Sequence, residues 1–207
     1  MPITKESFSR MKLKLPARPF LAYLFDCDGT LVDSMPLHYN AWKKALEEWN
    51  CEYPEDLFYS WGGKPVRKII ADLNEMQGLN MPIDSLAERK ESLYLEQLPQ
   101  LKAIPEVLEH VEAQYGRIPF AVVSGSRRAS VTGSLSIVHL LDKFSTIVAA
   151  EDYKNGKPAP DGFLLAAERL GVAPKDCLVF EDTDLGIQAA TAAGMASVLV
   201  PQPPDRN

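Results

Sequence analysis

The chain has 207 residues, 46% of them hydrophobic and 24% charged, which suits one globular domain or a domain with a sizeable insertion and excludes disordered, collagen-like and coiled-coil classes for the whole. Acidic residues outnumber basic ones by 28 to 22, and the net charge of −6 argues against nucleic acid or an anionic membrane as the main partner, though not against a phosphate ligand at a local positive site. Three cysteines, Cys27, Cys51 and Cys177, form no CxxC pair, and no apolar run approaches the roughly 20 residues of a membrane helix, so the cytoplasm is the expected compartment.

Residues 1–19 carry Lys5, Arg10, Lys12, Lys14 and Arg18 with no continuous h-region behind them, and read as a loose solvated arm rather than a secretory signal. The run from Phe20 to Phe25 stops abruptly at Asp26, as suits a strand buried on both faces. Met35, Tyr39, Trp42, Leu46 and Trp49 then recur at three- and four-residue spacing, one apolar stripe along a helix. Val66 to Leu73 and Ser85 to Leu98 also read as helices, with loops at 61–63 and 80–82 and no strand candidate between them. Further strand-like runs lie at Ile118 to Val123, Ser145 to Ala149, Cys177 to Phe180 and Ala196 to Val200. Between the later ones, Phe163 to Leu170 closes at Gly171, and Asp184 to Ala193, with Asp184 as its cap, ends at Gly194. Strand and helix in alternation predict an α/β fold with parallel strands and right-handed crossovers. The helical block between the first two strands is too long for a crossover. It is read as an inserted all-α cap at 34–100 on a core made of 1–33 and 101–207. The tail from Pro201 to Asn207 is read as loose.

In open parallel sheets, ligands bind beyond the carboxyl ends of the strands. The residues that follow the apolar runs therefore belong together: Asp26-Cys27-Asp28-Gly29-Thr30, Ser124-Gly125-Ser126, Gly156-Lys157-Pro158 and Glu181-Asp182-Thr183-Asp184. Carboxylates gathered in this way repel one another, and a hard divalent cation such as Mg2+ relieves the repulsion while leaving positions for water and phosphate oxygens. Lysine and hydroxyl donors opposite would hold the other phosphate oxygens. A carboxylate beside the metal can attack phosphorus, and a second carboxylate two residues on can serve the leaving oxygen if the chain turns, which Gly29 permits.

Asp26-Cys27-Asp28-Gly29-Thr30-Leu31-Val32-Asp33-Ser34 resembles the first motif of the haloacid dehalogenase superfamily. Ser124 after its apolar run resembles the second motif, Gly156-Lys157-Pro158-Ala159-Pro160-Asp161 the third, and Phe180-Glu181-Asp182-Thr183-Asp184 the fourth. All four stand in order, and the likeness is greatest to the subgroup of β-phosphoglucomutase and the sugar-phosphate phosphatases. The resemblance implies a Rossmann-like parallel-sheet core with helices on both faces and a helical cap. It implies Asp26 as a nucleophile that becomes an aspartyl phosphate, and Asp28 as the acid and base. Asp26, the Asp28 main-chain carbonyl and Asp182 would bind Mg2+, with Glu181 in a supporting position. Ser124, Gly125 and Lys157 would hold the phosphoryl oxygens. Cys27 reads as a packed spacer.

In the cap, His38 and Trp42 match positions that face the active site in this subgroup, Arg67 matches a candidate ligand for a distal anionic group, and Lys90 matches a lysine that contacts the sugar. The expected activity is a Mg2+-dependent phosphatase acting on a small phosphorylated metabolite, with no nucleic-acid or membrane partner, in a monomeric protein. A phosphohexomutase is the alternative, since it uses the same aspartyl phosphate. A non-enzymatic phospho-acceptor is a more distant one, disfavoured by the two-residue spacing of Asp26 and Asp28 and by the inserted cap.

Overall fold

The computed structural model describes residues 13–201, so the first twelve residues of the expected arm and the tail after Pro201 lie outside the described residues. Among the described residues, five strands form one sheet: β1 (Ala22–Phe25), β2 (Phe120–Val123), β3 (Thr146–Val148), β4 (Cys177–Glu181) and β5 (Ala196–Leu199). Their order is β3-β2-β1-β4-β5, with every neighbour parallel. The helices are α1 (Met35–Leu46), α2 (Glu55–Ser60), α3 (Val66–Gln77), α4 (Ile83–Leu95), α5 (Pro105–Gln114), α6 (Arg128–Ile137), α7 (Asp161–Leu170) and α8 (Asp184–Ala192).

The central strands β1, β2 and β4, up to Phe180, are apolar because both faces are covered, while the edge strands β3 and β5 are partly exposed. Tyr23, Phe25, Phe120, Val122, Leu178 and Phe180 point to one face, where Phe25 stacks on Phe180 with ring centroids 4.7 Å apart. The alternate residues Ala22, Leu24, Ala121, Val123, Cys177 and Val179 point to the other. That second face is small-chained, and it receives Phe163, Ala166 and Ala167 of α7 and Ala189 and Ala190 of α8. Helices α5 and α6 cover the aromatic face through Val107, Val111, Val131 and Leu135.

Helices α1 to α4 all lie between β1 and β2, with α1 and α3 packed on α4. Trp42, Phe58, Ile70, Leu73, Leu86 and Tyr94 are buried among them. The expected stripe on α1 is present, but the helix ends at Leu46; Trp49 sits in a following 3-10 turn that closes at Asn50 in the left-handed region. The chain leaves the sheet and returns to it side by side: the Asp33 N–H donates to the Lys102 carbonyl at 2.8 Å, the Ile104 N–H to the Leu31 carbonyl at 3.0 Å, and Val32 and Ala103 form an antiparallel bridge. Of the expected arm, residues 13–19 are described: Leu13 and Leu15 pack against the core, and the Arg18 guanidinium donates to the Lys175 carbonyl at 2.5 Å. Among the described residues, no helix is long and apolar enough to cross a membrane.

Candidate functional site

Strand register sets the site. Phe25 lies beside Val122 of β2 and Phe180 of β4, so the residues that follow, Asp26, Ser124 and Glu181-Asp182, meet at one sheet edge. After Asp26 the chain turns back at once, with the Leu31 and Val32 N–H groups donating to the Cys27 carbonyl. Gly29 makes that turn at φ +90°, and an added Cβ there would lie 2.3 Å from Asp182 Oδ2. Glycine is thus required twice, for the backbone and for the space. Thr30 donates its hydroxyl to Asp182 Oδ1 at 3.0 Å, joining the loop after β1 to the end of β4.

Asp26, Glu181 and Asp182 are all buried, and each presents a carboxylate oxygen within 4.8 Å of the others. Lys157 donates to Asp26 Oδ1 at 2.5 Å and to Glu181 Oε1. Glu181 Oε2 accepts the Thr183 N–H at 2.6 Å and the Thr183 hydroxyl at 3.0 Å. Burial pushes the Asp26 carboxyl well up, Lys157 opposes this, and the charges of Glu181, Asp182 and Asp28 add to it. For Lys157, burial favours the neutral amine, but Asp26 and Glu181 outweigh it and hold the ammonium. One lysine among these carboxylates leaves a surplus of negative charge in a dry place. Hard oxygen donors with unbalanced charge fit a small divalent cation.

Asp28 faces the cap. Its Oδ1 accepts from the Ser34 hydroxyl at 2.7 Å and from His38 Nε2 at 3.1 Å, and its Oδ2 accepts from the Ser126 hydroxyl at 2.7 Å. Lys90 Nζ lies 2.8 Å from His38 Nδ1. An ammonium only donates, so Nδ1 accepts and Nε2 carries the proton it gives to Asp28. Burial followed by Lys90 keeps the His38 ring neutral by lowering its pKa. For Asp28 itself burial acts upward, but His38 and the bonds from Ser126 and Ser34 hold the carboxyl well below the usual range. The His38 ring stacks on Tyr94 at 3.8 Å, whose hydroxyl pairs with Ser134 at 2.7 Å.

Across from Asp26, the Ser124 N–H donates to the Val148 carbonyl, the Ala150 N–H to the Ser126 carbonyl, and the Tyr153 hydroxyl to the Ser124 carbonyl at 2.9 Å. In a planar trans peptide the N–H points opposite the carbonyl. Holding the Ser124 carbonyl on the Tyr153 side therefore aims the Gly125 N–H the other way.

One cavity touches Asp26, Asp28, Ser124 and Gly125 of the core and His38, Trp42 and Lys90 of the cap. The cap loop 61–65 closes on it: an added Cβ at Gly125 would lie 3.5 Å from the Gly63 carbonyl, and one at Gly156 would lie 3.1 Å from Pro65. Of the residues singled out in the sequence, Asp26, Asp28, Ser124, Gly125, Glu181, His38, Trp42 and Lys90 line this cavity. Asp182 stands beside it against Gly29, and Lys157 reaches it by its bond to Asp26. Arg67 does not join them. It is exposed, paired with Asp84 at 3.0 Å, and lines a neighbouring cavity. The reason is helical phase: α3 starts at Val66, and burying Ile69, Ile70 and Leu73 turns Arg67 outward. Lys64 lines the cavity instead, 3.7 Å over the Trp61 ring and 2.5 Å from Asp72. The helix cap also differs from expectation, since Thr183, not Asp184, accepts the Gly186 N–H at 3.1 Å. Burial raises the Cys27 thiol well above its usual pKa, which agrees with a packed spacer.

Comparison with known proteins gives this geometry relatives. The profile of the haloacid dehalogenase-like hydrolases matches residues 23–200. The fructose-1-phosphate phosphatase YqaB of Escherichia coli K12 is 37% identical over 180 residues, covering 86% of this chain and 95% of the relative. A phosphorylated carbohydrates phosphatase of Thermotoga maritima is 32% identical, covering 86% and 83%. The crystal structure of β-phosphoglucomutase from Clostridium difficile superposes with a TM-score of 0.77 at 26% identity, covering 86% of this chain and 83% of the other.

Proposed function

We propose that this chain, which belongs to the haloacid dehalogenase-like hydrolase family and is one of its phosphatases, hydrolyses a small phosphorylated sugar or polyol through an aspartyl phosphate at Asp26. The observation that carries the reading is the position of Asp26: it is buried at the tip of β1 beside Glu181 and Asp182, tied to Lys157, and it shares one cavity with Ser124 and with Asp28. The acidic cluster fits a divalent cation, and Mg2+ is the one we assign, held by Asp26, Asp182 and the Asp28 main-chain carbonyl, with Glu181 bracing Lys157 behind them. When bound, it supplies the positive charge that lets an anionic carboxylate approach an anionic phosphoryl group.

The chain's own residues do the rest. Lys157, the Ser124 hydroxyl and the Gly125 N–H draw the phosphoryl oxygens into line with Asp26. An Asp26 oxygen attacks phosphorus and the ester bond breaks; Asp28, ionised at rest, takes up the proton of a phosphate monoanion as the substrate binds and passes it to the leaving alkoxide. In the second half, Asp28 takes a proton from a water that attacks the same phosphorus, which frees inorganic phosphate and restores the Asp26 carboxylate. Ser34, His38 and Ser126 favour the ionised form of Asp28, the form this second half requires. Transfer to water rather than to a second sugar hydroxyl is the reading favoured by the phosphatases among the relatives.

A panel of phosphorylated metabolites with Mg2+ tests this. Phosphate release is expected from sugar or polyol phosphates, abolished by EDTA and restored by Mg2+, and lost in Asp26→Asn, whose amide cannot attack. A variant that keeps about a tenth of wild-type turnover would refute Asp26 as nucleophile; activity that survives complete chelation would refute the metal.

A further inference from the structure

Among the described residues, one buried side-chain polar atom has no hydrogen-bond partner, the hydroxyl of Tyr53. Folded proteins pair nearly all such atoms, because an unpaired one gives up its hydration for nothing in return, so each exception calls for a reason. Tyr53 is only 7% exposed and lies just before α2, in the cap. Its ring stands edge-on to Trp42 at 5.5 Å and to Phe58 at 5.9 Å, and tilts against Trp61 at 5.8 Å. All four rings line the cavity that holds Asp26 and Asp28. Burial raises the phenol pKa, so the hydroxyl keeps its proton and offers both a donor and an acceptor. The polar groups of the core wall are committed to the phosphoryl end: Lys157 to Asp26 and Glu181, Ser126 to Asp28, Tyr153 to the Ser124 carbonyl. On the cap wall Lys90 pairs with His38 and Lys64 with Asp72, so among the aromatic rings the Tyr53 hydroxyl is the group left to meet something polar.

We propose that Tyr53 is a specificity-determining residue whose hydroxyl pairs with a hydroxyl on the organic part of the substrate, away from the phosphoester. The assignment rests on the phosphatase reading above and deepens it. Trp42 and Trp61 would cover apolar C–H faces of a polyhydroxylated carbon chain while Tyr53 takes one of its oxygens. A phosphate ester without that hydroxyl leaves the phenol unpaired in the complex, which is how a polar site rejects an analogue lacking the matching group.

The test compares wild type with Tyr53→Phe, which removes the oxygen and keeps the ring. Hexose and hexitol monophosphates are assayed in pairs with analogues that lack one hydroxyl each, alongside p-nitrophenyl phosphate, which has no alcohol. Wild type is expected to favour the hydroxylated member of at least one pair by about tenfold in kcat/KM, the scale of one hydrogen bond. Tyr53→Phe should cut that preference to about twofold or less, leave p-nitrophenyl phosphate within about twofold of wild type, and unfold no earlier than wild type because it deletes an orphan. The proposal is overturned if wild type distinguishes no pair, if the variant keeps the full preference, or if the variant loses p-nitrophenyl phosphate equally, which would mark a packing role. Failure of the phosphatase reading looks different, with no release of phosphate from any ester. The same pairs are then compared by thermal-shift binding in both proteins, and equal affinity within every pair in wild type overturns the Tyr53 assignment as well.

Discussion

Gly29→Ala isolates the contact that joins the loop after β1 to Asp182. The new Cβ would lie 2.3 Å from Asp182 Oδ2 and 2.8 Å from its Cγ, whereas ordinary contact begins near 3.4 Å. The carboxylate must retreat by about 1 Å, and the bond from Thr30 to Asp182 is lost. The backbone adds its own cost, since φ +90° is unfavourable for alanine by about 1–2 kcal/mol. With about 1 kcal/mol for the hydrogen bond, the variant should lose about 2–3 kcal/mol by urea unfolding. A displacement of that size at a reacting centre costs about 10²-fold in turnover. Gly78→Ala is the control: φ is +65° there, but the added Cβ meets nothing within 4 Å. It should pay the backbone cost alone, about 1–2 kcal/mol, with kcat and the Mg2+ titration curve unchanged. If Gly29→Ala matched this control in kcat and in the Mg2+ needed for half-maximal rate, Asp182 would have no part in the site and the steric reasoning would fall.

Lys157→Met removes the counter-charge shared by Asp26 and Glu181; unfolding should show a loss of about 3–5 kcal/mol without added metal, together with loss of turnover, and a variant as stable as wild type would contradict the buried bridge. Tyr153→Phe frees the Ser124 carbonyl and should lower kcat/KM by about five- to tenfold, with binding of a simple phosphate ester less affected than its turnover. Burial raises the Asp152 carboxyl, but the Ala149 N–H, Arg169 and Arg128 together lower it, so its stabilisation is full above the unfolded carboxylate pKa and is lost as pH falls below about 4. Asp152→Asn should therefore flatten the acid side of a stability–pH profile; an unchanged profile would mean that these arginines contribute nothing. With β-glucose 1-phosphate, the product should be inorganic phosphate, and accumulation of glucose 6-phosphate would turn the reading toward a mutase.

The central strands were legible because burial on both faces left them as apolar runs that end at charged or turn residues, as Phe25 ends at Asp26 and Phe180 at Glu181-Asp182, and the partly exposed edge strands still kept short apolar runs. Helix α6 was not legible. Its segment Arg128–Ile137 is rich in Ser, Thr and Gly, and what holds it is distant: Val131 and Leu135 against the sheet and Ser134 against Tyr94 of the cap. Helix α5 has only Val107 and Val111 buried, too short a stripe to announce itself. The tips of the strands pointed to Asp26, Ser124 and Asp182, since strand ends are local events, and Lys157 was marked by its Gly-Lys-Pro run in the loop after β3. The cap was harder, because whether Lys64 or Arg67 reaches the cavity depends on where α3 begins. The convergence of Ser34, His38 and Ser126 on one carboxylate is a tertiary fact that no spacing encodes.

The paired crossings at Leu31–Asp33 and Lys102–Ile104 set how this protein tolerates change. Since the outgoing and returning chains bond to each other, the sheet meets the cap as a closed loop whose mouth is fixed. The entropy of closing such a loop grows only with the logarithm of its length, so residues added or removed beyond the mouth cost the core little. Substrate preference can thus be rewritten in the cap, helix by helix, while the spacing of Asp26, Ser124, Lys157 and Asp182 stays as the sheet dictates.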